Sequence, residues 1–168
     1  MNYILTRLVK KIFDCLKKKS DDAGRDIRIS TSESCTGGLL GAYLTAVPGS
    51  SRHYIGGAIV YDNFLKTRFS GVREETLKNH GAVSGETVVE MAKGISDNAA
   101  ADISIAISGV AGPSGGTTEK PVGTVFFGFH SRNGSFFEKR YFRGGRDEVR
   151  LKSVKFALKK LLDIITEF

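Results

Sequence analysis

Between residues 27 and 47 a short apolar run, Ile27 to Thr31, breaks into the turn Ser34-Cys35-Thr36-Gly37-Gly38. Helical spacing then resumes from Leu39 to Val47, where Pro48-Gly49 ends it. A strand that runs through a tight turn into a helix points to an α/β architecture, in which both elements bury an apolar face against the same sheet. Ser34, Cys35 and Thr36 fall near the carboxyl edge of that strand, where the ligands of open α/β sheets collect. Gly37 and Gly38 allow close backbone approach, and the helix start offers N–H groups to an anion or oxyanion. A short Ser-x-Thr-Gly-Gly motif taken alone reads more simply as a helix cap.

The rest of the chain extends the pattern. Leu5, Leu8, Val9, Ile12, Phe13 and Leu16 recur at helical spacing and predict a first helix over residues 2–19, followed by a polar break from Ser20 to Arg25. A β-like run from Tyr54 to Tyr61 leads into short helical stretches, one reaching Lys66 and one from Glu74 to Lys78. Ser84 opens a further helix with Val88, Met91, Ala92 and Ile95 on one face. Ile103 to Ser108 is an apolar strand run into the loop Gly109 to Gly116. Val122–Phe129 and Phe136–Phe142 flank Asn133-Gly134, a strong hairpin signal, and a last amphipathic helix covers Arg146 to Thr166. These elements predict one domain over residues 1–168, with a mixed sheet covered by helices on both faces.

Composition excludes several classes. Hydrophobic residues are 40% and charged residues 26% of the 168, which argues against disorder. No apolar run approaches the ~18 residues of a membrane span, and the Lys-rich, amphipathic N-terminus lacks the pattern of a signal peptide, so a cytoplasmic protein is expected. Two cysteines make neither a disulfide framework nor a metal site. Cys15 reads as a small buried hydrophobe on the first helix. The formal net charge of +7 favours an anionic partner, either a phosphate-bearing metabolite or a nucleic acid. Much of that charge belongs to Lys17, Lys18, Lys19, Lys152, Lys155, Lys159 and Lys160, at spacings expected of solvated helix faces.

Three further segments could carry chemistry. In Tyr61-Asp62-Asn63-Phe64-Leu65-Lys66 a lysine could serve as base to a serine nucleophile if burial keeps it neutral, although most lysines are solvated. Gly109-Val110-Ala111-Gly112-Pro113-Ser114-Gly115-Gly116 could wrap a ligand or be a plain connector; it matches neither a Walker loop nor a dinucleotide fingerprint. Arg143-Gly144-Gly145-Arg146 offers a phosphate grip at a helix start, or a surface arginine. His53, His80 and His130 are scattered, with no metal spacing. Each segment alone has a bland explanation; together they suggest one convergent pocket.

These segments resemble the CinA C-terminal domain family, the nicotinamide-nucleotide amidases, from about Thr31 to Arg150. The resemblance rests on Glu33-Ser34-Cys35-Thr36-Gly37-Gly38, Pro48-Gly49-Ser50-Ser51, Tyr61 with Asn63 and Lys66, Gly81-Ala82-Val83-Ser84, Ser108 to Pro113, and Lys120 to Val125. It implies a three-layer α/β/α fold with a mixed, mostly parallel sheet and a late antiparallel hairpin. It also implies hydrolysis of nicotinamide mononucleotide to nicotinate mononucleotide and ammonia, with no cofactor or metal, by a homo-oligomer. Carried over by position, Ser34 is the nucleophile, Lys66 its base and Tyr61 an assistant. Cys35, Thr36, Gly37, Gly38, Asn63, Gly109, Ala111, Gly112 and Arg146 are expected to bind substrate, with N–H groups near Thr36 to Gly38 as the oxyanion hole. The family commonly has Ser at the position of Asp62, and Asp at those of Ser114 and Gly145. Two rival readings are a catalytically weak or inactive nucleotide- or nucleic-acid-binding module of the same fold, and an enzyme using Cys35 as a thiolate near a helix N-terminus. No nucleic-acid motif is present, so nucleic acid is not the expected partner.

Overall fold

The computed structural model describes residues 2–167. Five strands build one sheet: β1 (Ile29–Glu33), β2 (Tyr54–Ile59), β3 (Ile103–Gly109), β4 (Thr124–Ser131) and β5 (Gly134–Tyr141), in the spatial order β2-β1-β3-β4-β5. β1 runs parallel to both β2 and β3, whereas β3–β4 and β4–β5 are antiparallel, so only β4 points against the other four. The sheet is mixed and mostly parallel in direction, with a late hairpin, as the sequence predicts. The hairpin loop sits one residue early: Ser131 pairs with Gly134, so the two loop residues are Arg132 and Asn133, and Gly134, at φ 109°, opens β5.

Side-chain alternation along the central strands separates two apolar layers. Ile103, Ile105 and Ile107 of β3 and Val125, Phe127 and Phe129 of β4 face α1 (Tyr3–Ala23), α2 (Leu39–Leu44) and α6 (Arg146–Glu167). Ala106 and Phe126 face the other way, towards α3 (Asn63–Ser70), α4 (Glu74–His80) and α5 (Gly85–Ala99), where Val60, Val72, Val88, Met91 and Ala92 complete the second core. The result is a three-layer α/β/α sandwich.

Several helix boundaries differ from the sequence reading: α3 runs past Lys66 to Ser70 and α4 past Lys78 to His80. α1 continues through the polar residues after Lys19 to Ala23, because Ser20 is buried and its Oγ accepts from the Ile27 N–H at 2.9 Å; Gly24, at φ 67°, then stops the helix. α2 is shorter, ending at Leu44 rather than Val47. Ser84 caps α5 as expected, its Oγ accepting from the Thr87 N–H at 3.2 Å. Cys15 is only partly buried, packed against the first core.

β1 is the unusual strand. It lies between two neighbours and is buried throughout, yet it reads Ile-Ser-Thr-Ser-Glu. Buried polar groups need partners, and three of the four polar side chains of β1 tie it to what surrounds it, the Ser30 hydroxyl having no such partner among the described residues. Thr31 shares a 2.7 Å hydrogen bond with the Tyr54 hydroxyl, Ser32 pairs with Ser70 of α3 at 2.7 Å, and Glu33 reaches α2.

Candidate active site

The turn after β1 is built from its backbone outward. The Ser34 N–H donates to the Ile107 carbonyl at 2.9 Å, extending the β1–β3 ladder one residue past the strand, and the Gly37 N–H donates to Ser34 O at 3.0 Å to close the turn. Gly37 and Gly38 carry φ of 58° and 88°, a region that side-chain-bearing residues rarely adopt. The buried Glu33 carboxylate then accepts from the N–H groups of Leu40 (3.0 Å) and Gly41 (2.8 Å). The expectation of a helix start open to a ligand is corrected accordingly: Glu33 already occupies it. Among the described residues the Thr36 and Gly38 N–H groups make no hydrogen bond. The Thr36 side chain is fully buried, its carbonyl accepts from Arg150 at 3.0 Å, and neither Thr36, Gly37 nor Gly38 lines the cavity described next.

That cavity, of about 220 Å³, is bounded by Ser34, Cys35, Tyr61, Asn63, Lys66, Ala82, Val83, Ser108, Gly109, Ala111 and Arg146. It lies where the carboxyl ends of β1 and β3 meet the start of α3, and so brings together residues from all four segments singled out in the sequence. Ser34 is 8% exposed and Lys66 only 1%. Asp62 caps α3, its Oδ1 accepting from the Phe64 N–H at 2.8 Å, and one turn later the helix carries Lys66 inward. Lys66 Nζ donates to the carbonyls of Val60 and Tyr61, both at 3.0 Å. Burial lowers the Lys66 pKa below the usual lysine value; the opposing pull of Asp62 and Cys35 is smaller. The solvated-lysine reading is therefore overturned. Asp62 is exposed and engaged as a cap, so its charge moderates the shift without reversing it.

Cys35 is buried, and loss of water pushes its thiol up to about 12. The lowered thiolate pKa expected from a helix N-terminus is absent, because Glu33 occupies that terminus and burial dominates. Tyr61 is 59% exposed. Its carbonyl meets Lys66, whereas its hydroxyl accepts from Arg146 Nη2 at 3.1 Å. Arg146 Nη1 also donates to Gly112 O at 2.6 Å, so the guanidinium bridges the β2–α3 segment and the loop after β3. Gly112 contributes this carbonyl and does not line the cavity.

Ala82, Val83 and Ser108 complete the wall and were not anticipated as site residues. Their signal lay in the strand edge at Ser108 and in the Gly81-Ala82-Val83-Ser84 segment; Ser108 Oγ donates to Ala82 O at 2.7 Å and holds that segment against β3. The histidines lie elsewhere. His53 is buried against the Ile27 carbonyl and the Phe13 ring, His80 sits beside Glu86, and His130 pairs with Ser135.

Fold and cavity together define a three-layer α/β protein whose site lies at the carboxyl edge of parallel strands, with a serine and a buried lysine in one cavity. Residues 7–165 match the model of the CinA C-terminal domain, and the chain belongs to that family. It is 47% identical over 138 residues to the nicotinamide-nucleotide amidohydrolase PncC of Escherichia coli K12, covering 82% of this chain and 84% of that protein. A CinA-like protein of Thermotoga maritima is 49% identical over 134 residues, but this chain spans only 32% of its length. Among solved structures, a CinA superfamily protein from Klebsiella pneumoniae 700603 superposes with a TM-score of 0.90 at 35% identity over the whole of both chains. A competence or damage-inducible protein from Enterobacter asburiae does so with a TM-score of 0.88 at 40% identity, covering 96% of this chain and 98% of that one. Among the described residues, no helix is long and apolar enough to cross a membrane.

Proposed function

We propose that the chain hydrolyses the carboxamide of nicotinamide mononucleotide to nicotinate mononucleotide and ammonia, with Ser34 as nucleophile and Lys66 as its base. The observation that carries this reading is the shared cavity: a nearly buried serine and a fully buried lysine of lowered pKa border the same 220 Å³. The likeness to PncC supplies the substrate class.

A neutral lysine amine has two N–H donors and one lone pair. The Val60 and Tyr61 carbonyls match both donors, which leaves the lone pair as the remaining valence. In the proposed reaction that lone pair takes the Ser34 hydroxyl proton as Oγ attacks the carboxamide carbon. The oxyanion of the tetrahedral intermediate is stabilised inside the cavity, where the backbone of the turn at Ser34 and Cys35 forms part of the wall. Lys66 returns its proton to the nitrogen, the C–N bond breaks and ammonia leaves an ester on Ser34. Water, deprotonated by Lys66, then attacks the ester; the carbonyl carbon keeps the new oxygen and Ser34 regains its proton. Arg146, at the mouth, is the proposed phosphate contact.

The test is ammonia release from nicotinamide mononucleotide. Ser34→Ala and Lys66→Ala are expected to reduce kcat on the order of 10⁴-fold, while Cys35→Ala keeps the rate within about threefold. Loss of turnover in Cys35→Ala alone would replace this reading with a thiol mechanism. Absence of turnover in the folded wild type would remove the amidase reading.

A further inference from the structure

Ser34 follows β1 and Lys66 lies on α3, and a specific device holds the two elements together. Ser34 follows β1 directly and its N–H continues the β1–β3 ladder, so strand alternation puts Ser32, two residues earlier, on the same side. On α3, residues four apart share a face, so Ser70 lies below Lys66, one turn on. Ser32 Oγ and Ser70 Oγ are 2.7 Å apart, and both residues are fully buried. This hydroxyl pair is the one side-chain hydrogen bond between β1 and α3 among the described residues.

Ser70 is itself fixed from behind. Gly94 of α5 packs so closely on the Ser70 carbonyl that a Cβ at position 94 would overlap it. Asn98 of the same helix donates to the Phe69 carbonyl at 3.0 Å. The Val72 N–H closes back on Lys66 O at 3.2 Å. The end of α3 is thus clamped to α5, and the Ser32–Ser70 bond transmits that position to the strand carrying the nucleophile.

We infer that Ser32 and Ser70 form a positioning pair that sets the separation of the Ser34 hydroxyl and the Lys66 amine. The inference rests on the dyad proposed above. Neither hydroxyl lines the cavity, so neither touches substrate. The pair acts on the chemical step rather than on binding, since proton transfer requires hydrogen-bond reach and a displacement of about 1 Å can cost on the order of 10²-fold.

The experiment measures kcat, KM and melting temperature for Ser32→Ala, Ser70→Ala, the double variant and Ser70→Thr, using ammonia release from nicotinamide mononucleotide. Each single alanine variant is expected to lower kcat by about tenfold or more with KM within about twofold. The double variant falls no further than the worse single, as for two halves of one contact. Ser70→Thr, which keeps the hydroxyl, recovers most of kcat. Unchanged kcat in folded alanine variants overturns the pair, as do single losses that simply multiply. A kcat loss that threonine fails to restore, although its melting temperature matches wild type, also overturns it. If one alanine variant does not fold, the other together with Ser70→Thr still decides. Wild-type turnover abolished by both Ser34→Ala and Lys66→Ala keeps the dyad standing whichever way these results fall, so failure of the pair and failure of the dyad are told apart.

Discussion

Lys66 shows how one residue's surroundings change its chemistry. An ammonium removed from water loses its hydration, and two carbonyl contacts restore only part of it, so its protonated form is disfavoured. The folded pKa is thus below the usual lysine value. In the proposed mechanism the neutral amine is the active form, so kcat/KM rises with pH as Lys66 loses its proton, with a midpoint below that value. Asp62 opposes the shift; Asp62→Asn, which can still cap α3, moves this limb to lower pH in a pH profile of ammonia release, and a limb that stays put would separate it from Lys66. Stability follows the same sign. Between the folded and unfolded lysine pKa values the unfolded chain binds more protons, so wild type gains stability relative to Lys66→Met as pH rises through that window. Ser34 and Lys66 stood out as candidates because each sits where a strand-like run gives way to helical spacing, and their proposed roles came from the family resemblance. The burial of Lys66 could not, since a lysine on a short helix is solvated in most contexts.

Among the elements, α3 and α5 depend on each other most closely. Gly94 lies inside α5, where an isolated helix would gain from alanine by roughly 0.5–1 kcal/mol. Here the missing Cβ leaves room for the Ser70 carbonyl of α3. Gly94→Ala is therefore expected to destabilise the protein by about 1–3 kcal/mol, read as a lower urea midpoint at unchanged slope. A gain in stability would mean that α3 yields to the methyl group. The strand–turn–helix at Ser34, the Ser84 cap and the hairpin were all legible, because caps and turns are local chemistry. The α1 boundary was not: Ser20 looked like a break until Ile27, seven residues on, supplied its hydroxyl with a backbone donor. The start of α2 likewise looked open to ligand until Glu33 was found to occupy it.

Across the whole molecule, the sheet divides two cores. Phe127 is fully buried on the α1–α6 side, 4.6 Å from the Phe156 ring centroid and edge-on to Phe142, whereas Ser32, Ser70 and Lys66 pack on the α3–α5 side. Phe127→Ala is expected to cost about 3–5 kcal/mol by chemical denaturation. It should leave kcat within about twofold wherever the variant is folded, because sites without shared partners act nearly independently. A large loss of kcat in the folded variant would show that the two layers are coupled. By itself the sequence determined the elements, their alternation, the two-sided covering of the sheet and the segments that border the cavity, because hydrophobic period, caps and turn residues act between near neighbours. The tertiary structure alone decided that Lys66 is buried, that Ser32 meets Ser70, that burial pushes the Cys35 thiol pKa up and that Arg146 reaches Tyr61, 85 residues away. Burial and long-range pairing depend on which faces the strand order brings together, and that order follows from packing the whole chain at once.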